Sequence, residues 1–115
     1  MGYLYADQGK NLEKAEAMIR IALKSEPNNM AYLDSMGWVL FKLKKYKQAQ
    51  EYLEKAHKLP GGGDSTILDH LADCYYKLNK KKQALELWKK ALEEAQKAAS
   101  PDTKLIDQIQ KKVNQ

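Results

Sequence analysis

The sequence predicts an all-α fold, a right-handed solenoid of antiparallel helix pairs, on the strength of a period of 34 to 35 residues. Ala15, Ala49 and Ala84 follow this spacing. In each copy a bulky residue comes four positions after the first alanine, and a second alanine comes three positions later. Chains that repeat at this length stack their units and present extended surfaces, which favours binding over catalysis. The bulky residues are Ile19, Leu53 and Trp88, and the second alanines are Ala22, Ala56 and Ala91. The small residues that precede each set are Gly2, Gly37 and Ala72.

Each unit is predicted to be two amphipathic helices, because its apolar residues recur at intervals of three and four. Small residues at a helix crossing let two backbones approach closely, and a bulky residue of the partner helix fills the gap. A single pair cannot bury its apolar face alone, so neighbouring pairs must stack. In the middle unit these positions are Leu33, Met36, Gly37 and Leu40 in the first helix, and Ala49, Leu53 and Ala56 in the second.

Proline, glycine and capping residues set the predicted order of elements. The 115 residues are predicted to form one domain. It divides into a truncated first repeat (1–29), a second repeat (30–63), a third repeat (64–98) and a capping helix (99–115). Helices are predicted at about 1–8, 12–25, 30–43, 46–58, 65–78, 81–98 and 101–113.

The repeated positions resemble the tetratricopeptide repeat family, whose pattern is W-x2-L-G-x2-Y, then A-x3-F-x2-A, then P. The third unit carries it as Leu68, Leu71, Ala72, Tyr75, Ala84, Trp88 and Ala91, without the proline. The first unit has one extra residue in its inner turn. The stretches 32–40 and 70–92 also resemble a bacterial branch of the family that includes envelope-associated members. The resemblance covers nearly the whole chain and is specific for fold rather than for function.

The resemblance implies that the first helix of each pair lines a concave groove, in which a peptide or partner protein binds. Its aromatic residues are candidate anchors, Trp38 above all, since an indole in a groove is a typical binding hot spot. The alternative is that Trp38 and Phe41 pack against a neighbouring helix and that the aspartates are solvated. Carried over by alignment, the groove residues are Tyr3, Asp34, Trp38, Phe41, Asp69, Asp73, Tyr76 and Lys77.

The same alignment bears on the kind of ligand. Some members of the family hold the C-terminal carboxylate of a chaperone with basic and amide side chains. Those positions here are Tyr3, Ser35, Asp69 and Asp73. Acidic groups repel an anion, so we expect no binding of such chaperone tails and a preference for apolar or basic peptides.

Charge suggests a second kind of partner. The chain has 20 basic and 15 acidic residues, and every basic residue except Arg20 is lysine. Lysines concentrate in the acid-free stretches 39–50 and 74–85, which are predicted to align along one edge. That edge could bind an anionic membrane, nucleic acid or an acidic protein, or it could consist of solvated turns. The scarcity of arginine disfavours nucleic acid.

No catalytic, metal or cofactor site is predicted, and the chain is not expected to be an enzyme. His70 and Cys74 have a spacing that can share zinc, but His57 lies on another helix and a core position explains Cys74 better. Gly61, Gly62 and Gly63 lack the GK[ST] of a phosphate loop and indicate a turn between repeats. Two histidines and one cysteine do not form a nucleophile and base pair.

The amino end suggests a third possibility. By the family pattern the first helix lacks about six residues, so we expect the sequence to be part of a longer protein. The uncovered side of helix 12–25 would then invite self-association. The localisation could be cytoplasmic or the bacterial cell envelope.

Overall fold

A computed structural model describes residues 11–98 and 101–114 of the chain. Within these ranges the fold is all-helical, and each helix packs against the next one along the chain. The helices are α1 (Leu12–Ser25), α2 (Met30–Lys42), α3 (Tyr46–Lys58), α4 (Ser65–Lys77), α5 (Lys81–Lys97) and α6 (Thr103–Val113). The helices within two pairs, α2 with α3 and α4 with α5, make the most extensive contacts, and α2 also packs on α4. This confirms the predicted stack of helix pairs.

Short polar side chains begin three of these helices. The side-chain oxygen of Asn29 accepts a hydrogen bond from the backbone N–H of Tyr32, and Asp64 accepts one from Thr66. The Asp102 carboxylate accepts from two N–H groups at the start of α6. Each cap satisfies donors that have no partner inside the helix, which contributes about 1 kcal/mol.

The turns inside the second and third pairs have the same backbone geometry. Lys44 and Asn79 adopt left-handed conformations, with φ of 64° and 68°. The next residue in each turn, Lys45 or Lys80, donates its N–H to a carbonyl five positions earlier in the preceding helix. This is a common helix C-terminal motif. The repetition of sequence therefore extends to the detail of the turns.

At Gly37 the helix α2 lies close against the Leu53 side chain of α3. A Cβ atom placed on Gly37 would lie no more than 3.0 Å from three side-chain carbons of Leu53. Leu53 is fully buried. The small residue and the bulky residue of the repeat pattern are thus direct packing partners, and any side chain at position 37 must compete with Leu53 for space.

The connection between α3 and α4 packs against the end of α3. Gly61 has a φ of +85°, which favours glycine. A Cβ on Gly62 would meet the backbone carbonyls of Ala56 and His57. The His57 ring is 2.7 Å from the Gly62 carbonyl oxygen through Nδ1. Gly62 therefore makes this turn between repeats close-packed, and Gly61 has a backbone conformation that favours glycine.

The final helix closes the carboxyl end of the core. Ile109 of α6 is fully buried and packs in one cluster with Leu68, Ala72 and Trp88. Its neighbours Leu105 and Val113 contact the same cluster. The apolar stripe on α6 thus covers the third pair, as a terminal helix of a solenoid must. None of the described helices combines the length and the hydropathy needed to cross a bilayer.

Candidate functional site

The first helices of the second and third pairs, α2 and α4, bring most of the predicted groove residues to one surface, together with one lysine of α6. Tyr3 lies outside the described residues. The surface comprises two linked clusters, one around Trp38 and one around Asp69. We call it the groove face and define it by Asp34, Trp38, Phe41, Asp69, His70, Asp73, Tyr76 and Lys112.

Trp38 is the centre of the first cluster. Its ring stacks on His70 with the centroids 4.4 Å apart and on Phe41 at 5.5 Å. The ammonium of Lys42 lies 4.8 Å from the centroid of the same ring. Phe41 in turn meets the ring of Tyr46 edge-on. Trp38 is only partly buried, so these contacts fix its orientation and leave part of the indole accessible.

His70 links α4 to α2 through an ion pair. Its Nδ1 lies 2.9 Å from Oδ1 of Asp34, and both side chains are largely buried. Burial alone would lower the pKa of His70, but the hydrogen bond with Asp34 and the charges of Asp34, Asp69 and Asp73 raise it overall. The imidazolium is therefore favoured where it stacks on Trp38, and its charge offsets part of the acidity of this surface.

Asp69 is the centre of the second cluster and is buried, with a side chain 9% exposed. Its Oδ1 accepts a hydrogen bond from the indole Nε1 of Trp88 at 3.1 Å and lies 2.8 Å from Nζ of Lys112. A buried carboxylate needs such partners, because an unpaired charge in the interior is costly. Asp69 therefore connects three helices instead of presenting a free carboxylate to a ligand.

Asp73 shares the same lysine. Its Oδ1 and Oδ2 lie 3.1 Å and 3.3 Å from Lys112 Nζ. Burial and the neighbouring charge of Asp69 raise the pKa of Asp73, more than Lys112 and His70 lower it. Burial lowers the pKa of Lys112, but the two carboxylates raise it overall. Each aspartate predicted for the groove is thus engaged by a cation of the chain itself.

The remaining predicted groove residues, Tyr76 and Lys77, lie at the C-terminal end of α4. The Tyr76 ring is partly buried, with its centroid 5.5 Å from that of Trp88, and Lys81 Nζ lies 5.5 Å from the Tyr76 ring. Lys77 is exposed. Tyr76 therefore lies next to the second cluster, through its contact with Trp88.

Two residues of the groove face were not predicted from the sequence. From the sequence, His70 is a candidate only for a zinc site, and Lys112 belongs to the predicted capping helix. The signal for His70 was its place one repeat after Ser35, beside the acid Asp69. Lys112 gave no such signal, because α5 has 17 residues where α3 has 13, and the period does not extend into α6.

The candidates outside this surface have structural surroundings. Cys74 is fully buried, and burial followed by the charge of Asp73 raises the pKa of its thiol to about 12, so the nucleophilic thiolate is suppressed. Among the described residues, His, Cys, Asp and Glu do not gather in any group of three that could hold a metal ion. His70 pairs with Asp34 and does not share a ligand site with Cys74.

The outer side of α1 is the other notable surface. Met18 and Ile21 are large apolar side chains that are 40% and 68% exposed. Ile21 lines a cavity of about 360 Å³ together with Glu13, Glu16, Ala17, Arg20 and Lys24. Self-association through this end remains a prediction, because residues 1–10, which precede α1, lie outside the described ranges.

Comparison with known families agrees with the fold. The sequence model described as "Anaphase-promoting complex, cyclosome, subunit 3" matches residues 8–91, which is most of the chain. This is a family of the tetratricopeptide repeat type. The matched region contains α1 to α4 and most of α5, and so includes Trp38, His70 and Asp69 but not Lys112. The match does not bear on a bacterial origin.

Proposed function

This chain belongs to the tetratricopeptide-type repeat family described as "Anaphase-promoting complex, cyclosome, subunit 3", and we propose that it binds a peptide segment of a partner protein along the groove face. Families of this type generally serve as protein–protein interaction scaffolds without catalytic activity. The observation that carries the proposal is the aromatic stack of Trp38, His70 and Phe41, which orders a partly exposed indole at the surface.

The Trp38 side chain is already ordered, and this lowers the entropy cost of binding a ligand to it. A rotamer-rich side chain that is immobilised on binding costs about 0.5–1.5 kcal/mol, and a side chain already held in place avoids this cost. Trp38 is held by His70 and Phe41 before any ligand arrives. Lys42, whose ammonium lies over the same ring, is exposed, so a ligand side chain can displace it from the ring.

The position that Lys42 would vacate over the Trp38 ring determines which ligand side chains can bind there. An aromatic face attracts cations and accepts apolar groups, so a ligand residue that replaces Lys42 is apolar or basic. The carboxylates contribute less to this choice than the sequence alone suggests. Asp69 and Asp73 are already paired with Lys112, and Asp34 with His70.

Peptide selection on the immobilised protein tests the proposal. We expect a displayed random peptide library to yield ligands enriched in apolar and basic residues, and each ligand to lose at least about tenfold in affinity for Trp38→Ala. Ile21→Ala is the matched control, since it truncates an exposed apolar side chain on α1. Asp69 is unsuitable for this purpose, because its substitution disturbs Trp88 and Lys112.

The outcomes are distinct. Loss of binding with Trp38→Ala and retention with Ile21→Ala support the groove face. The reverse pattern places the ligand on α1 and contradicts the proposal. Circular dichroism and urea unfolding of both variants show whether a loss reflects the surface or the fold.

A further inference from the structure

The turns inside the second and third pairs form a positively charged edge, which borders the groove face where Lys42 lies over Trp38 and Lys81 over Tyr76. We call it the lysine edge. Its side chains are all exposed, and the stretches 39–50 and 74–85 that contain them have no aspartate or glutamate. The lysine edge consists of Lys42, Lys44, Lys45, Lys47, Lys77, Lys80, Lys81 and Lys82.

The two turns are in contact, so their lysines make one continuous surface. Leu78 of the third pair and the segment Lys44–Gln48 of the second pair line the same shallow cavity of about 350 Å³. Across the pairs, Lys80 Nζ lies 3.4 Å from Oε1 of Gln50. The stacking of repeats thus brings charges together that are about 35 positions apart in sequence.

Most of this charge is not neutralised by the chain. Lys45 reaches Glu16 at 3.5 Å. The side chains of Lys44, Lys47, Lys77 and Lys82 make no hydrogen bond or ion pair with any residue in the described ranges. The first turns of α3 and α5 contain no acid. Lys47 and Lys82 lie in these first turns, where positive charge opposes the helix dipole, so these two lysines do not favour folding.

We propose that the lysine edge is an electrostatic docking surface for an anionic lipid bilayer. Such a surface needs only a set of accessible positive charges, and mobile lipid headgroups can adjust to wherever the ammonium groups lie. A compact, strongly hydrated ammonium suits this non-directional attraction. Within the ranges that the structure describes, the large exposed apolar residues, Met18 and Ile21, are on α1 and not on the lysine edge, so the proposed contact is with headgroups and uses no apolar insertion by these residues.

The structure disfavours single-stranded nucleic acid as the ligand of this edge. Base recognition there needs open aromatic faces or arginine side chains. Ammonium groups of Lys42, Lys80 and Lys81 lie over the nearby rings of Trp38, Tyr75 and Tyr76, at 4.8–5.6 Å. The single arginine, Arg20, is on α1 and binds Glu16 at 2.6 Å. An acidic protein would need carboxylates at fixed positions that match those of the lysines. A fluid bilayer does not need such a match, because its headgroups can move.

The test is co-sedimentation with phosphatidylcholine vesicles that contain or lack phosphatidylserine. The edge variant carries Lys44→Gln, Lys47→Gln, Lys77→Gln and Lys82→Gln. The matched control carries Lys24→Gln, Lys58→Gln, Lys90→Gln and Lys104→Gln, which are exposed lysines away from the inner turns. Each variant removes four positive charges from the formal net charge of +5, so a difference between them reports position and not total charge.

We expect the unsubstituted protein to bind only the vesicles with phosphatidylserine, and less at an ionic strength of about 0.15 M than at lower salt. Each lysine near an anionic surface contributes a factor of about five to partitioning, so the edge variant should lose two to three orders of magnitude (roughly) and the control much less. Trp38→Ala should sediment with vesicles as the unsubstituted protein does, which keeps this result separate from that of the groove face.

Other outcomes overturn the proposal. If the edge variant and the control lose vesicle binding equally, binding depends on net charge and not on the lysine edge. If Trp38→Ala loses vesicle binding, the vesicles bind the groove face instead. If the unsubstituted protein does not bind the vesicles with phosphatidylserine, the proposal is wrong. If oligothymidylate or polyglutamate binds the unsubstituted protein more tightly than vesicles do, and the edge variant loses this binding, the partner is a nucleic acid or an acidic protein.

Discussion

The ammonium group of Lys112 lies 2.8 Å from Oδ1 of Asp69, although the two residues are 43 positions apart. The same carboxylate oxygen accepts the indole N–H of Trp88. The final helix thus contributes the cation that makes burial of Asp69 tolerable, while its apolar stripe covers Trp88. Helix α6 is both a cover for the core and a part of the groove face.

Lys112→Met should destabilise the protein, because it leaves Asp69 buried without its cation. Removal of one partner of a buried pair costs about 3–5 kcal/mol, and partial exposure of the Lys112 side chain should reduce this to about 1–3 kcal/mol. Urea unfolding followed by circular dichroism measures the loss. Lys111→Met is the control on the exposed side of α6, with an expected change within about 0.5 kcal/mol. Equal effects of the two substitutions would show that the pair does not stabilise the fold.

The contact of Gly37 with Leu53 predicts a coupled pair of substitutions. Gly37→Ala should cost about 1–3 kcal/mol because its Cβ overlaps the Leu53 side chain. Leu53→Ala should cost about 2–5 kcal/mol through the cavity that it leaves. In the double variant the new methyl group occupies part of that cavity, so the total should fall short of additivity by about 0.5–3 kcal/mol. Urea unfolding of the four proteins gives the coupling, and strict additivity would refute the packing relationship.

The fold was predictable to this level because its signal is periodic. The spacing of Ala49, Leu53 and Ala56 fixes which side of a helix is buried, and the same spacing recurs in the next unit. Helix ends followed from proline, glycine and capping residues and differ from the observed ends by at most two residues. Local sequence is sufficient for such features because each unit packs only on its neighbours.

Stability should decrease as pH rises past neutrality, because of His70. Its folded pKa is raised above the ordinary value of 6.5: burial lowers it, but the hydrogen bond with Asp34 and the three aspartate charges outweigh burial. The contribution of the pair is therefore complete below about pH 6.5 and is lost as pH rises through the raised folded pKa. The raised pKa of Asp73 acts in the same direction at lower pH.

Urea midpoints between about pH 5.5 and about pH 8.5 measure this dependence. Asp34→Asn should lower the pKa of His70, which NMR titration of the imidazole reports, and should flatten the stability profile above pH 6.5. The substitution retains the shape of the side chain and removes its charge. An unchanged His70 pKa in Asp34→Asn would mean that the ion pair does not set the titration.

The three consecutive glycines should respond differently to alanine. Gly62→Ala should cost about 2 kcal/mol or more, because its Cβ meets backbone carbonyls that cannot move aside. Gly61→Ala should cost about 1–2 kcal/mol for its positive φ. At Gly63 a Cβ meets no atom within 4 Å, so alanine should be neutral or stabilise by about 0.4–1 kcal/mol. Thermal unfolding ranks the three variants, and equal effects would contradict the close-packed turn.

The candidate site was less predictable than the fold, since its chemistry depends on pairs between helices. The sequence located Asp34, Asp69 and Asp73 on first helices but could not show that each is paired with a cation. Which cation pairs with each aspartate depends on the offset between stacked helices, and the longer α5 changes that offset before α6. Alignment within a repeat therefore predicts which residues share a surface, and leaves open which of them are free to bind.

The pairing of Asp34 with His70 has a consequence for how such a chain can grow. Asp69 is one repeat after Asp34, so a tandem duplicate of residues 64–98 would place its own histidine against Asp69, as His70 now lies against Asp34. The third unit thus carries both members of such an ion pair. His70 pairs with Asp34 of the preceding unit, and Asp69 would pair with the histidine of a unit that follows. An array lengthened by duplication could retain a charge match at every new boundary, with α6 needed only once, at the end.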